Sequence, residues 1–82
     1  MLLSNLSKIV KIIKIYNFKK NKSFFSITSN SKFTNNKTIF IYDKNSKSKD
    51  SYIKEAVNNN TPALITNQYF KQIKIPQFVV SD

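Results

Sequence analysis

The chain has 82 residues, a formal net charge of +10 and neither cysteine nor histidine, and its length is that of one small domain or part of one. Without cysteine or histidine, the chain has no disulfides, thiolate nucleophiles, imidazole bases or ordinary zinc sites. No apolar run reaches the ~18 residues that a transmembrane helix needs, so the sequence predicts no membrane span.

The first predicted element is an amphipathic helix over residues 2–16. Its apolar side chains recur at three- and four-residue spacing and include Leu2, Leu6, Ile9, Ile13 and Tyr16. We expect this helix to pack on its own domain. Two alternatives remain open, because a Lys-rich, acid-poor start is also typical of an organelle transit peptide and of a helix that binds a membrane surface.

Two strands and two polar loops are predicted next. Residues 24–28 and 38–42 have the β-branched and aromatic composition of strands, and the second segment is apolar without interruption, as in a strand buried on both faces. Residues 29–37 and 43–49 are rich in Ser, Asn and Lys, which indicates loops.

The second half of the chain predicts a helix followed by two more strands. Asp50 or Ser51 is expected to cap the start of the helix, and its apolar face contains Tyr52, Ile53, Ala56 and Val57. Asn58-Asn59-Asn60 is expected to end the helix, because asparagine is the residue other than glycine that best takes the left-handed conformation of a helix end. With strands at 63–66 and 75–80, the pattern predicts an α/β fold with a small mixed or partly parallel sheet flanked by helices.

The order of these pieces resembles the N-terminal domain of the Mur ligases, which are ATP-dependent enzymes of peptidoglycan synthesis. Asn30-Ser31-Lys32 stands where the family has Asp-Ser-Arg, and residues 52–56 match a family helix of the form Phe-Ile-x-x-Ala. Residues 75–82 match a Pro-Gln-hydrophobic-Val-x-Asp segment, and the resemblance covers residues 3–82. The family's glycines are all replaced here, mostly by Asn or Lys.

The start of the chain is most similar to the branch that adds the third stem-peptide residue, the UDP-N-acetylmuramoyl-tripeptide synthetases. The branch that adds the D-Ala-D-Ala dipeptide is the alternative. The resemblance implies that residues 1–82 are a single, incomplete domain that binds UDP-N-acetylmuramoyl-dipeptide in the cytoplasm. ATP, Mg²⁺ and the incoming amino acid would belong to further ligase domains, because the chain contains no glycine and therefore no Gly-rich phosphate loop. Alone it would be inactive and would hold no cofactor or metal.

The resemblance also implies the substrate-binding residues. Ser31 would hydrogen-bond the nucleotide, Ser29 would add contacts from the same loop, and a second loop would contribute Asn45, Ser46 and Lys47. A hydroxyl both donates and accepts, as binding of uracil or phosphate oxygens requires, and a lysine supplies a point charge for the diphosphate. The alternative interpretation is an ordinary Ser/Asn turn with a solvated charged loop. Because Ser31 is expected in an exposed loop, its replacement should change stability little.

The net charge suggests a different function, that of a small nucleic-acid-binding module. All fourteen basic residues are lysine, and Lys, Asn and Ile make up 36 of the 82 residues, which is the skew of an AT-rich coding sequence. A nucleic-acid surface generally uses arginine, whose planar guanidinium binds phosphate and guanine through two hydrogen bonds. The absence of arginine therefore argues against this function.

Overall fold

The protein is built around a five-stranded sheet with the strand order β1-β5-β4-β3-β2. The computed structural model describes residues 1–42 and 50–81. The strands are β1 (Ile12–Tyr16), β2 (Ser26–Thr28), β3 (Thr38–Tyr42), β4 (Leu64–Thr66) and β5 (Gln77–Val80). Strands β2 to β5 are mutually parallel, and β1 pairs antiparallel with β5. This arrangement confirms the predicted α/β fold with a mixed, largely parallel sheet.

One α-helix and two 3-10 helices accompany the sheet in the described residues: α1 (Asp50–Asn58), η1 (Leu3–Lys8) and η2 (Ser31–Phe33). Helix α1 begins at Asp50. It ends as the sequence predicts, because Asn60 has a φ of 67°. None of the helices in residues 1–42 and 50–81 is both long and apolar enough to cross a membrane.

The sheet is covered on both faces, which explains why β3 is apolar without a break. Ile39 packs on one face against a cluster that includes Leu3 and Leu6 of η1. Phe40, the next residue, packs on the opposite face against a cluster that includes Ile53 of α1. Successive strand residues point to opposite faces, so a strand between two layers is mostly apolar on both sides.

The predicted amphipathic helix over residues 2–16 is wrong. The chain instead forms η1 and then β1, whose sequence Ile-Ile-Lys-Ile-Tyr is rich in β-branched residues that favour strands. Leu3 and Leu6 are three residues apart and both are fully buried, which matches the three-residue turn of a 3-10 helix. Pairing with β1 also provides hydrogen-bond partners for the backbone of β5. This long-range pairing is favoured over the local helical pattern.

The parallel strands β2 to β5 all run in one direction, so the sheet has a carboxyl edge, where these strands end, and an opposite edge, where they begin. The carboxyl ends of β2 to β5 lie together at one edge, and the residues after β2 and the start of α1 lie there too. Parallel α/β sheets usually bind ligands at this edge. The opposite edge carries the chain that follows β1 and the chain that precedes β5, because Tyr16 pairs with Gln77.

Candidate functional site

A polar pocket of about 440 Å³ opens at the carboxyl edge of the sheet, where β2 ends and α1 begins. The described residues that line it are four consecutive loop residues and one aromatic residue of the helix: Ser29, Asn30, Ser31, Lys32 and Tyr52. The volume lies within the range of about 300–1,000 Å³ that is typical of small-molecule sites. Both predicted serines therefore lie in one concave surface.

Short-range hydrogen bonds fix the backbone of this loop. The Thr28 hydroxyl accepts from the backbone N–H of Asn30 at 3.1 Å, and Oδ1 of Asn30 accepts from the backbone N–H of Lys32 at 3.0 Å. These are the turns that Ser, Thr and Asn typically make with nearby backbone. The Ser29 hydroxyl takes no part in them and has no hydrogen-bond partner among the described residues, so it is available at the pocket surface.

Ser31 occupies a different environment from the one that the sequence suggests. Only 4% of its surface is exposed, and its hydroxyl donates a hydrogen bond to the Glu55 carboxylate. Its carbonyl oxygen accepts from Asn59 Nδ2 at 3.2 Å and from the Thr34 hydroxyl at 2.6 Å. The expectation of an exposed loop hydroxyl is therefore wrong, because Glu55 and Asn59 of the α1 segment reach across and hold Ser31 against the helix.

This bond determines what the Ser31 hydroxyl can offer a ligand. Its single proton is directed to Glu55, while the oxygen keeps lone pairs that can accept. Ser31 is thus suited to contact a donor on the ligand, such as a ring N–H or a sugar hydroxyl. Ser29 and the amide of Asn30 can supply the complementary donors.

Tyr52 is the pocket residue that the sequence does not reveal. The helical pattern places it on the apolar packing face, but 40% of its surface is exposed and its side chain lines the pocket. Ile53 and Ala56 form the buried stripe of α1, and Tyr52 lies at its margin in the first turn. An aromatic residue at the margin of an amphipathic stripe is a weak signal, since the same spacing also fits burial.

Among the described lining residues, Lys32 supplies the positive charge. Its side chain is exposed and makes no ion pair within the described part of the chain. The other predicted binding residues, Asn45, Ser46 and Lys47, lie outside the described residues. Within residues 1–42 and 50–81, no group of three or more His, Cys, Asp or Glu residues could hold a metal ion.

Comparison with known proteins adds no family assignment. No protein-family model matches the chain, and no curated protein matches it either.

Proposed function

We propose that the chain is the uridine-nucleotide-binding domain of a Mur-type ligase, and that its pocket binds the UDP end of UDP-N-acetylmuramoyl-dipeptide. The observation that carries the proposal is the polar pocket at the carboxyl edge of the parallel sheet, lined by the segment from Ser29 to Lys32. The resemblance of the sequence to the Mur family assigns this same segment to the nucleotide. The order of strands and helix is also compatible with that domain.

The pocket chemistry suits a uridine diphosphate. The Ser31 oxygen can accept from the N–H of uracil or from a ribose hydroxyl, and the Ser29 hydroxyl can donate to a carbonyl or phosphate oxygen. The Lys32 ammonium is a compact charge that suits a diphosphate. The ring of Tyr52 offers a face on which a base can stack, and such stacking contributes about 1–3 kcal/mol.

The hydrogen bonds between the loop and α1 support binding by preorganisation. Ser31 and Thr34 are both held by residues of the α1 segment, with Asn59 Nδ2 lying 3.2 Å from the Thr34 hydroxyl. A loop held in its binding geometry loses little conformational entropy when the ligand binds. Glu55 and Asn59 are accordingly positioning residues, and they do not line the pocket.

Calorimetric titration of the 82-residue chain with UDP-N-acetylmuramoyl-dipeptide, UDP and ADP tests the proposal. We expect UDP to bind more tightly than ADP, because the pocket would recognise the edge of the uracil. Tyr52→Ala should weaken UDP binding by at least about fivefold through loss of stacking. The matched control is Tyr69→Ala, since Tyr69 is equally exposed at 39% but stacks on Tyr16 outside the pocket.

Two outcomes would contradict the proposal. In one, UDP and ADP bind with equal affinity; in the other, the Tyr52 and Tyr69 variants lose UDP affinity to the same extent. An independent check is the sequence that the gene encodes after Asp82. A Mur-type ligase requires a Gly-rich loop ending in Gly-Lys-Ser/Thr to bind ATP, and we expect it within about forty codons.

A further inference from the structure

A second pocket lies at the opposite edge of the sheet and differs from the first in its charge. It has a volume of about 370 Å³ and lies between the loop after β1 and the segment before β5. Four of the seven described lining residues are lysines, and the described lining is Asn17, Lys19, Lys20, Lys22, Lys74, Ile75 and Pro76. We call this surface the lysine pocket.

The lysine pocket contains positive charge that the described residues do not neutralise. Asp50 and Glu55 are the acidic residues within the described ranges, and neither lines the pocket. Asp50 instead accepts a hydrogen bond from Tyr42, and Glu55 accepts one from Ser31. Like charges gathered around one cavity repel each other, and a bound anion would relieve this repulsion.

The backbone that carries these lysines is anchored at both ends. At one end, Asn17 has a φ of 62° and its Nδ2 donates to the carbonyl oxygens of Ile73 and Ile75 at 3.1 and 3.5 Å. At the other end, both polar atoms of the Asn21 side chain bond Ser4 at 2.8 and 2.9 Å. The Asn17 bonds join the two chain segments that form the pocket.

The residues that line the pocket favour a compact anion over a single-stranded nucleic acid. Lys74 lines the cavity from one segment, and Lys19, Lys20 and Lys22 line it from the other, so four exposed cationic residues border one small volume. A single-stranded nucleic acid would need a groove that follows its backbone and aromatic platforms for its bases. No aromatic residue is among the described lining residues, and the edge of nearby Phe18, which is 40% exposed, contacts Phe78.

We infer that the lysine pocket binds a compact polyphosphate, such as a triphosphate group, at a site separate from the uridine pocket. Lys74 and the three lysines after Asn17 supply the charges, and the asparagine bonds fix the backbone that carries them. The inference does not depend on the proposed function, because the two pockets lie at opposite edges of the sheet and share no residue.

Titration of the intact chain with inorganic triphosphate, which carries no base or sugar, tests this inference. We expect saturable 1:1 binding, weakened about fivefold by Lys74→Gln, the effect expected for one lysine near a dense anion. Lys74→Arg should preserve binding because it preserves the charge. The matched control is Lys11→Gln, which removes one exposed lysine at the other end of β1 and should change affinity less than about twofold.

The same experiment distinguishes the two pockets and the competing ligand. Tyr52→Ala should leave triphosphate binding unchanged, and Lys74→Gln should leave UDP binding unchanged. Absence of saturable triphosphate binding would overturn the inference, as would equal losses in the Lys74→Gln and Lys11→Gln variants. If an oligouridylate bound more tightly than triphosphate, with a steep salt dependence and the same loss of affinity in Lys74→Gln, the ligand of the lysine pocket would be a nucleic acid and not a compact anion.

Discussion

At the scale of single residues, the hydrogen bond from Ser31 to Glu55 joins the candidate site to the fold. The serine lies directly beyond β2, and the glutamate lies in the second turn of α1. No buried side-chain polar atom among the described residues lacks a hydrogen-bond partner. The hydroxyl of Ser31 therefore belongs both to the pocket lining and to the packing of η2 on α1.

The first prediction is that Ser31→Ala destabilises the protein by about 1–2 kcal/mol. A hydrogen bond to a charged group typically contributes about 1.5–3 kcal/mol, and the half-buried Glu55 recovers part of this by binding water. Urea unfolding measures the effect. The control Ser29→Ala removes an exposed hydroxyl of the same pocket and should change stability by less than about 0.5 kcal/mol. Equal stabilities for the two variants would contradict the structural role of Ser31.

The second prediction for a single residue concerns Asn60. The backbone N–H of Thr61 bonds the carbonyl of Ala56 at 3.1 Å, and that of Asn60 bonds the carbonyl of Val57 at 2.9 Å. This is the Schellman pattern of helix ends, which needs a left-handed residue at position 60. We expect Asn60→Ala to cost about 1 kcal/mol in thermal or urea unfolding, and Asn60→Gly to be nearly neutral.

A control for this prediction is Asn58→Ala in the last turn of α1, where the backbone is helical. Alanine favours a helix more than asparagine does, so this variant should be neutral or slightly stabilising. If Asn60→Ala were equally harmless, the left-handed end of α1 would not contribute to stability.

At the scale of elements, η1 and β1 show which interactions a local pattern cannot reveal. The spacing of apolar residues in 2–16 fits a helix, but other parts of the sheet determine the structure of this segment. Ile12–Tyr16 pairs with β5 as a strand, and Leu3 and Leu6 cover one face of the sheet. Segments whose signals come from their own residues, such as β3 and α1, could be predicted from the sequence, and β3 has the predicted bounds.

Leu6→Ala tests whether η1 is a packing element. Leu6 is fully buried in the cluster that contains Phe78, so its truncation should cost about 2–4 kcal/mol of stability. Ile9→Ala is the control, because Ile9 lies just after η1 and is 50% exposed. A surface-seeking helix would give the opposite result, with Leu6→Ala leaving the unfolding transition unchanged and weakening binding to anionic vesicles.

The candidate site could be predicted only in part, because some of its contacts depend on how distant segments pack. Ser29 and Ser31 follow a strand directly, so the sequence predicts their position at the carboxyl edge once the strand is recognised. The contact of Ser31 with Glu55 joins residues 24 positions apart and depends on how α1 packs. The lysine pocket joins the segment from Asn17 to Lys22 with Lys74, and lysine is too common in this chain for its spacing to indicate such a cluster.

At the scale of the whole molecule, the described residues carry eleven lysines against two acidic residues in a body of 27 × 24 × 22 Å. At an ionic strength of 0.01 M, the screening length of about 30 Å exceeds the longest of these dimensions, so each of these lysines contributes to the self-repulsion of the folded state. At 0.15 M the screening length is about 8 Å, and only charges within one cluster still repel each other strongly.

The last prediction uses this difference to test whether charge is concentrated in the lysine pocket. Thermal stability should rise between 0.01 and 0.15 M NaCl in the parent chain. Lys74→Gln should raise the melting temperature at low salt by about 2–4 °C, since relief of about 0.5 kcal/mol of repulsion corresponds to such a shift in a domain of this size. Lys11→Gln removes the same net charge outside the pocket and should raise the melting temperature less.

At 0.15 M the increase in melting temperature from Lys74→Gln should become smaller but persist, because a screening length of about 8 Å leaves repulsion within the pocket partly intact. Equal shifts for the two variants at both salt concentrations would mean that the repulsion is spread evenly over the surface and not concentrated around Lys74.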